Sequence, residues 1–198
     1  MLKTIGFLGA LALVPLSALA ADHAHQHDTP YAGEQNRGIK TLSAQDVDDL
    51  TNGRGWGLAK AAELNGVPGP AHLLELSGDI PLTPEQVDQI SALFDEMQAN
   101  AIPLGERLVT LERQLNQAFA TGKADEQQLK AMLDRIATTR SALRFVHLSA
   151  HLRTPEILTP AQIARYNQLR GYVENDDPCA NPPPGHDPAL WRRHNNCE

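Results

Sequence analysis

His147 and His151 stand four residues apart in FVHLSAHLRTPEILTPAQ, residues 145–162. In a helix that spacing puts both imidazoles on one face. Neutral imidazole is a common transition-metal ligand, and two at i and i+4 can converge on a single ion. Leu143, Val146 and Ala150 form an apolar stripe on one side of them, and Phe145, Leu148 and Leu152 form another nearly opposite. The histidines fall between the stripes, on a line with Arg140 and Arg144. Three readings stay open: a metal site, an ion-paired flank and plain packing. For a metal site, Asp95 or Glu96 would add a carboxylate, and PGPAHLLEL would supply His72 or Glu75. For an ion-paired flank, Asp88, Asp95, Arg144 and His151 would pair across two helices, at ~0.2–1 kcal/mol per exposed pair.

Two further groups of residues carry chemistry of their own. If a leader is removed after Ala20, the chain begins Ala21-Asp22-His23, so a free amine, two amides and an imidazole form a square-planar set suited to Cu(II) or Ni(II). His25 and His27 extend that set, and the alternative is a solvated polar lead. Cys179 and Cys197, the two cysteines of the chain, bracket His186 and His194 in a spacing that fits no standard zinc pattern. In an oxidising compartment the expectation is a Cys179–Cys197 disulfide, worth ~3 kcal/mol in the chain-entropy account.

Catalytic motifs are missing. HLSAH has the histidine spacing of a zinc peptidase helix without its glutamate base, and no G-x-S-x-G elbow, phosphate loop or nucleophilic cysteine is found. A binding protein is expected, with no enzymatic role. The net charge of −7 excludes the basic footprint that nucleic acid requires.

The elements that must position these residues read as all-helical. Residues 1–20, with Lys3, an apolar run and Ala18-Leu19-Ala20, have the pattern of a cleaved signal peptide, so export to the periplasm is expected. Residues 21–30 lack any apolar period and read as a disordered, His-rich lead. A helical domain follows over residues 31–172. Its first part is broken by glycine and proline into short helices: one capped by Ser43, one over Leu58 to Asn65 ending at Gly66, one after Pro70. From Val87 to Ala118 apolar residues recur at three-four spacing, and LTPEQ opens that helix with Thr83 as cap, Pro84 at the first position and Gln86 closing a capping box. Pro103 is expected to kink it. After the turn Thr121–Asp125 a second long helix runs to Arg153, ended by Pro155, and LTPAQ starts another at Thr159. The two long helices make an antiparallel hairpin with its core at 82–153, and 173–198 is a Pro-rich irregular tail.

With LTPEQ at 82–86 and LTPAQ at 158–162 flanking that hairpin, the chain resembles the exported helical proteins of the Spy, CpxP and ZraP group and the related nickel and cobalt sensor CnrX. The likeness covers about Ala71 to Tyr172. It implies a hooked antiparallel helical bundle, a periplasmic homodimer, and one of two roles: metal binding or sensing in heavy-metal resistance and envelope stress, or ATP-independent chaperoning of unfolded clients. Apart from the resemblance, the apolar surface of Phe145, Leu148 and Leu152 also fits a dimer interface in a protein that regulates a membrane partner by contact. In the sensor branch a histidine ahead of the hairpin, an acid on the first long helix and a histidine with a methionine four residues later hold the metal, and here His151 stands in the methionine's place. Carried over, these are His72, Asp95 or Glu96, His147 and His151, and the ion is Ni, Co, Cu or Zn.

Overall fold

The structure, a computed structural model, describes residues 29–173, 187–194 and 197. The expected leader, the ligand set Ala21, Asp22, His23, His25 and His27, and Cys179 lie outside the described residues. Cys197 is disulfide-bonded.

From Gly33 onward the described residues are helical and contain no strand. In chain order the α-helices are α1 (Ala44–Thr51), α2 (Lys60–Glu63), α3 (Pro70–Glu75), α4 (Pro84–Ala120), α5 (Glu126–Arg153), α6 (Pro160–Leu169) and α7 (Pro188–His194). Each start is written locally. Ser43 and Asp46 close a capping box on α1, Thr83 and Gln86 on α4, Thr159 and Gln162 on α6, while Asp125 accepts from Gln128 N–H to start α5. α4 runs unbroken through Pro103, which sits on an exposed face where the missing N–H is least costly. α7 departs from the expected irregular tail, because Asp187 caps the N–H groups of Ala189 and Leu190 and Pro188 takes the first helical position.

α4 and α5 form the expected antiparallel hairpin. The bidentate pair of Arg153 with Glu96, at 2.7 and 2.9 Å, fixes its register, and His151 comes level with Gln98 rather than with Asp95. Leu93, Met97, Ala101 and Leu108 of α4 and Ile136, Leu143 and Ala150 of α5 are buried along the seam. α1 lies on α4 at Gly105, so close that a Cβ there would stand 1.9 Å from the Leu50 carbonyl oxygen.

The two LTPxQ segments meet. Gln86 Nε2 donates to Ile157 O (2.8 Å) and to Gln162 Oε1 (3.0 Å). Gln162 Nε2 donates in return to Pro81 O and to Gln86 Oε1, both at 2.8 Å. Each glutamine caps its own helix and holds the chain just ahead of the other cap. This reciprocal clasp folds α6 back beside the start of α4, and Tyr166 drops into a core with Leu73, Ile80 and Ile90. The returning end also closes over the segment that covers the histidines.

Candidate functional site

His147 and His151 lie at the end of α5 and are 2 % and 6 % exposed. What covers them is the segment between α1 and α3, which reaches the hairpin because glycines let its backbone turn and approach closely. Gly53, Gly57 and Gly66 hold positive φ, as does Trp56 at 43°. Gly69 lies directly on the His151 ring: a Cβ there would stand 2.3 Å from Nε2, so only glycine admits the imidazole.

Hydrogen bonding sets the state of the rings. His151 Nδ1–H donates to the Val67 carbonyl oxygen at 2.9 Å, and since a carbonyl only accepts, the neutral ring keeps its lone pair on Nε2. His147 Nε2 is buried with no hydrogen-bond partner. Burial, reinforced by His151, lowers the His147 pKa to about 4. Burial lowers that of His151 too, aided by His72 and opposed by the Val67 bond and Glu63. At neutral pH both rings are uncharged, the form that binds a metal.

His72 on α3 comes to the same cavity. Its Nδ1–H donates to Glu75 Oε2 at 2.8 Å, which leaves Nε2 turned toward Glu63 Oε2 at 3.5 Å. Glu75 thereby orients His72, as outer carboxylates orient metal-binding histidines. Glu63, at the end of α2, is half-buried. Burial alone would raise its pKa, but the Tyr172 hydroxyl, the nearby His72 and the Arg170 guanidinium together bring it below the usual carboxylate value.

The space between these groups is a partly open cavity of about 910 Å³ lined by His72, His147, His151, Glu63 and Glu75, with Met97, Phe94 and Gln98 from α4. Of the residues singled out by spacing, four therefore come together: His72, Glu75, His147 and His151. Asp95 and Glu96 do not join them. Phe94, Met97 and Gln98 face the cavity, whereas Asp95 is exposed on a flank of α4 and is not among the lining residues. Glu96 is held by Arg153 at an outer groove beside Phe145 and Val146. The ion-paired flank is not formed either. Among the described residues Asp88, Asp95, Arg144 and His151 make no ion pair with one another. Arg140 turns away to stack over Trp56, its guanidinium 4.9 Å from the ring centre.

Glu63 and Met97 are the donors that spacing did not single out. Met97 reads as one more residue of the apolar stripe. Glu63 sits in KAAELNG, and its signal is only that a carboxylate interrupts a short apolar helix nine residues ahead of His72. Among the described residues no group of three or more His, Cys, Asp or Glu side chains is placed to hold a metal ion. One pair of donors has the spacing of two ligands on a single ion. Two ligand atoms at ~2.1 Å from a tetrahedral ion lie ~3.4 Å apart, close to the 3.5 Å between His72 Nε2 and Glu63 Oε2.

A family model described as heavy-metal resistance matches residues 59–165, which take in α2 through most of α6 and every donor named above. No curated protein and no solved structure matches the chain.

Proposed function

The chain belongs to the heavy-metal resistance family, and from that premise we propose that it is a periplasmic protein that binds or senses a divalent transition-metal ion, Ni, Co, Cu or Zn, in the cavity under α2 and α3. The observation that carries this reading is the pair of neutral, buried imidazoles on one turn of α5, with His147 Nε2 unpaired and His151 fixed with Nε2 as its basic nitrogen. A buried imidazole nitrogen without a partner costs stability unless something else satisfies it.

His72 and Glu63 would complete the ligand set, with Glu75 orienting His72. Met97 brings a thioether to the same wall, a donor that favours softer ions over magnesium or calcium. A bound ion would supply positive charge that draws these donors together. The residues do the rest: Gly69 admits the His151 ring, Val67 sets its tautomer, and burial keeps protons off the imidazoles. The all-helical fold and the family both favour a binding role over an enzymatic one.

Calorimetric titration with each of the four ions is the test. Full-length protein should bind with a stoichiometry that falls by one ion in the double variant His147→Leu/His151→Gln. Loss of binding on removal of residues 21–28, with the double variant unaffected, would assign metal capture to the N-terminal lead and leave the cavity without that role.

A second reading, ATP-independent chaperoning of unfolded clients, is favoured by a separate observation. Phe145 and Leu152 are 70 % and 71 % exposed on the outer face of α5. Apolar side chains left in water on one helix face are what a client-binding surface requires.

A further inference from the structure

The Glu63 carboxylate serves two parts of the molecule at once. Its Oε2 faces His72 in the cavity. Its Oε1 accepts from Arg170 Nη2 at 2.5 Å, from the Tyr172 hydroxyl at 2.8 Å and from the Tyr166 hydroxyl at 3.3 Å. Tyr166 is fully buried in the core, whereas Arg170 and Tyr172 lie just beyond α6, where Gly171 takes a positive φ. Arg170 is bound to this spot through Glu63 and Tyr172, while its Nε is buried without a partner. Both Arg170 and Tyr172 also line the cavity.

We propose that filling the cavity with a cation and seating the turn Arg170–Tyr172 are mutually antagonistic, so that the site reports its occupancy through that turn. The inference rests on the ion-binding reading above. A divalent cation on Oε2 draws off the negative charge that holds the guanidinium on Oε1. It also places like charge on the other side of the same carboxylate. Glu63 and Arg170 side chains are 13 % and 29 % exposed, so little water intervenes to screen that repulsion. The turn is held by Arg170 N–H to Tyr166 O, Gly171 N–H to Gln168 O and Tyr172 N–H to Asn167 O, at 2.9, 3.1 and 2.9 Å, and by the packing of Tyr172 against the core, so its Glu63 contacts are the part a cation would act on. Coupling of this kind is reciprocal: whatever unseats Arg170 must tighten the ion by the same factor.

Two measurements on the full chain test it, with zinc chloride as probe. Hydrogen exchange at the Gly171 and Tyr172 amides should accelerate on zinc addition by about the same factor, at least fivefold, by which Arg170→Gln tightens zinc binding. Arg170→Lys, which keeps the positive charge, should bind zinc within about twofold of the parent, and this guards against a merely structural effect of losing the guanidinium. Zinc binding with unchanged exchange at the turn and no gain from Arg170→Gln would overturn the antagonism while leaving the metal site standing. No zinc binding that depends on His147 and His151 would overturn both.

Discussion

His147 enters the core uncharged, and the consequence is a fold that weakens in acid. Its pKa falls to about 4 through burial and the proximity of His151, against an ordinary histidine value of ~6.5 in the unfolded chain. Above pH ~6.5 the ring is neutral in both states and adds no pH dependence. As the pH drops toward 4 only the unfolded chain takes up the proton, and by the time both states are protonated the folded protein has lost about 3 kcal/mol. His151, lowered in the same direction, adds to the slope. Urea midpoints at pH 7.5 and 4.5 with chelator present should show this loss, and His147→Leu should remove about 2–3 kcal/mol of it. At this scale the sequence was half legible. The four-residue spacing showed that His147 and His151 share a face. It did not show what they face, because the bond that orients His151 spans 84 residues and ends on a carbonyl in a segment without apolar period. For the same reason Glu63 escaped notice, while Asp95 and Glu96, placed by helix register alone, proved to be on other faces of α4.

Helices α4 and α5 were legible nearly residue by residue, since three-four spacing and the proline and capping signals at their ends are local, with a capping box on α4 and Pro155 just past the end of α5. How the short helices dock on them was not, because docking depends on shape at single positions. Gly105 is one. On helix propensity alone, alanine in the interior of α4 should stabilise by about 1 kcal/mol. Its Cβ, however, would meet the backbone of α1 at 1.9 Å from Leu50 O, and backbone cannot swing aside as a long side chain can. Gly105→Ala should therefore destabilise by about 1–3 kcal/mol. A chemical denaturation curve decides the sign, and a variant more stable than the parent would show that α1 is free to shift. Gly38 offers a control, since a Cβ there meets nothing within 4 Å.

The whole molecule sets a partly open cavity, edged by histidines and carboxylates, on one side of α5 against an exposed apolar strip on the other. These two surfaces can be separated by experiment. Phe145→Asp with Leu152→Asp should leave metal titration unchanged within about twofold, since neither side chain lines the cavity. If the strip receives unfolded clients, the parent protein should suppress light scattering by a denatured substrate in the presence of chelator, and the double variant should not. Equal suppression by both would remove that surface from any chaperone role. The family match spans the hairpin, the cover of the cavity from Ala59 onward and most of α6, and so contains the exposed strip and the cavity's histidines and carboxylates.

The glutamine clasp has a consequence for the order in which the molecule assembles. Its two halves lie 76 residues apart, so on a growing chain the first cap waits for its mate until the hairpin has been made and reversed. Contacts that close so late belong to the descent from the folding barrier more than to its ascent. Gln86→Ala should accordingly speed unfolding several-fold while leaving refolding nearly unchanged in stopped-flow traces, the mark of a latch that drops only after the door has swung shut.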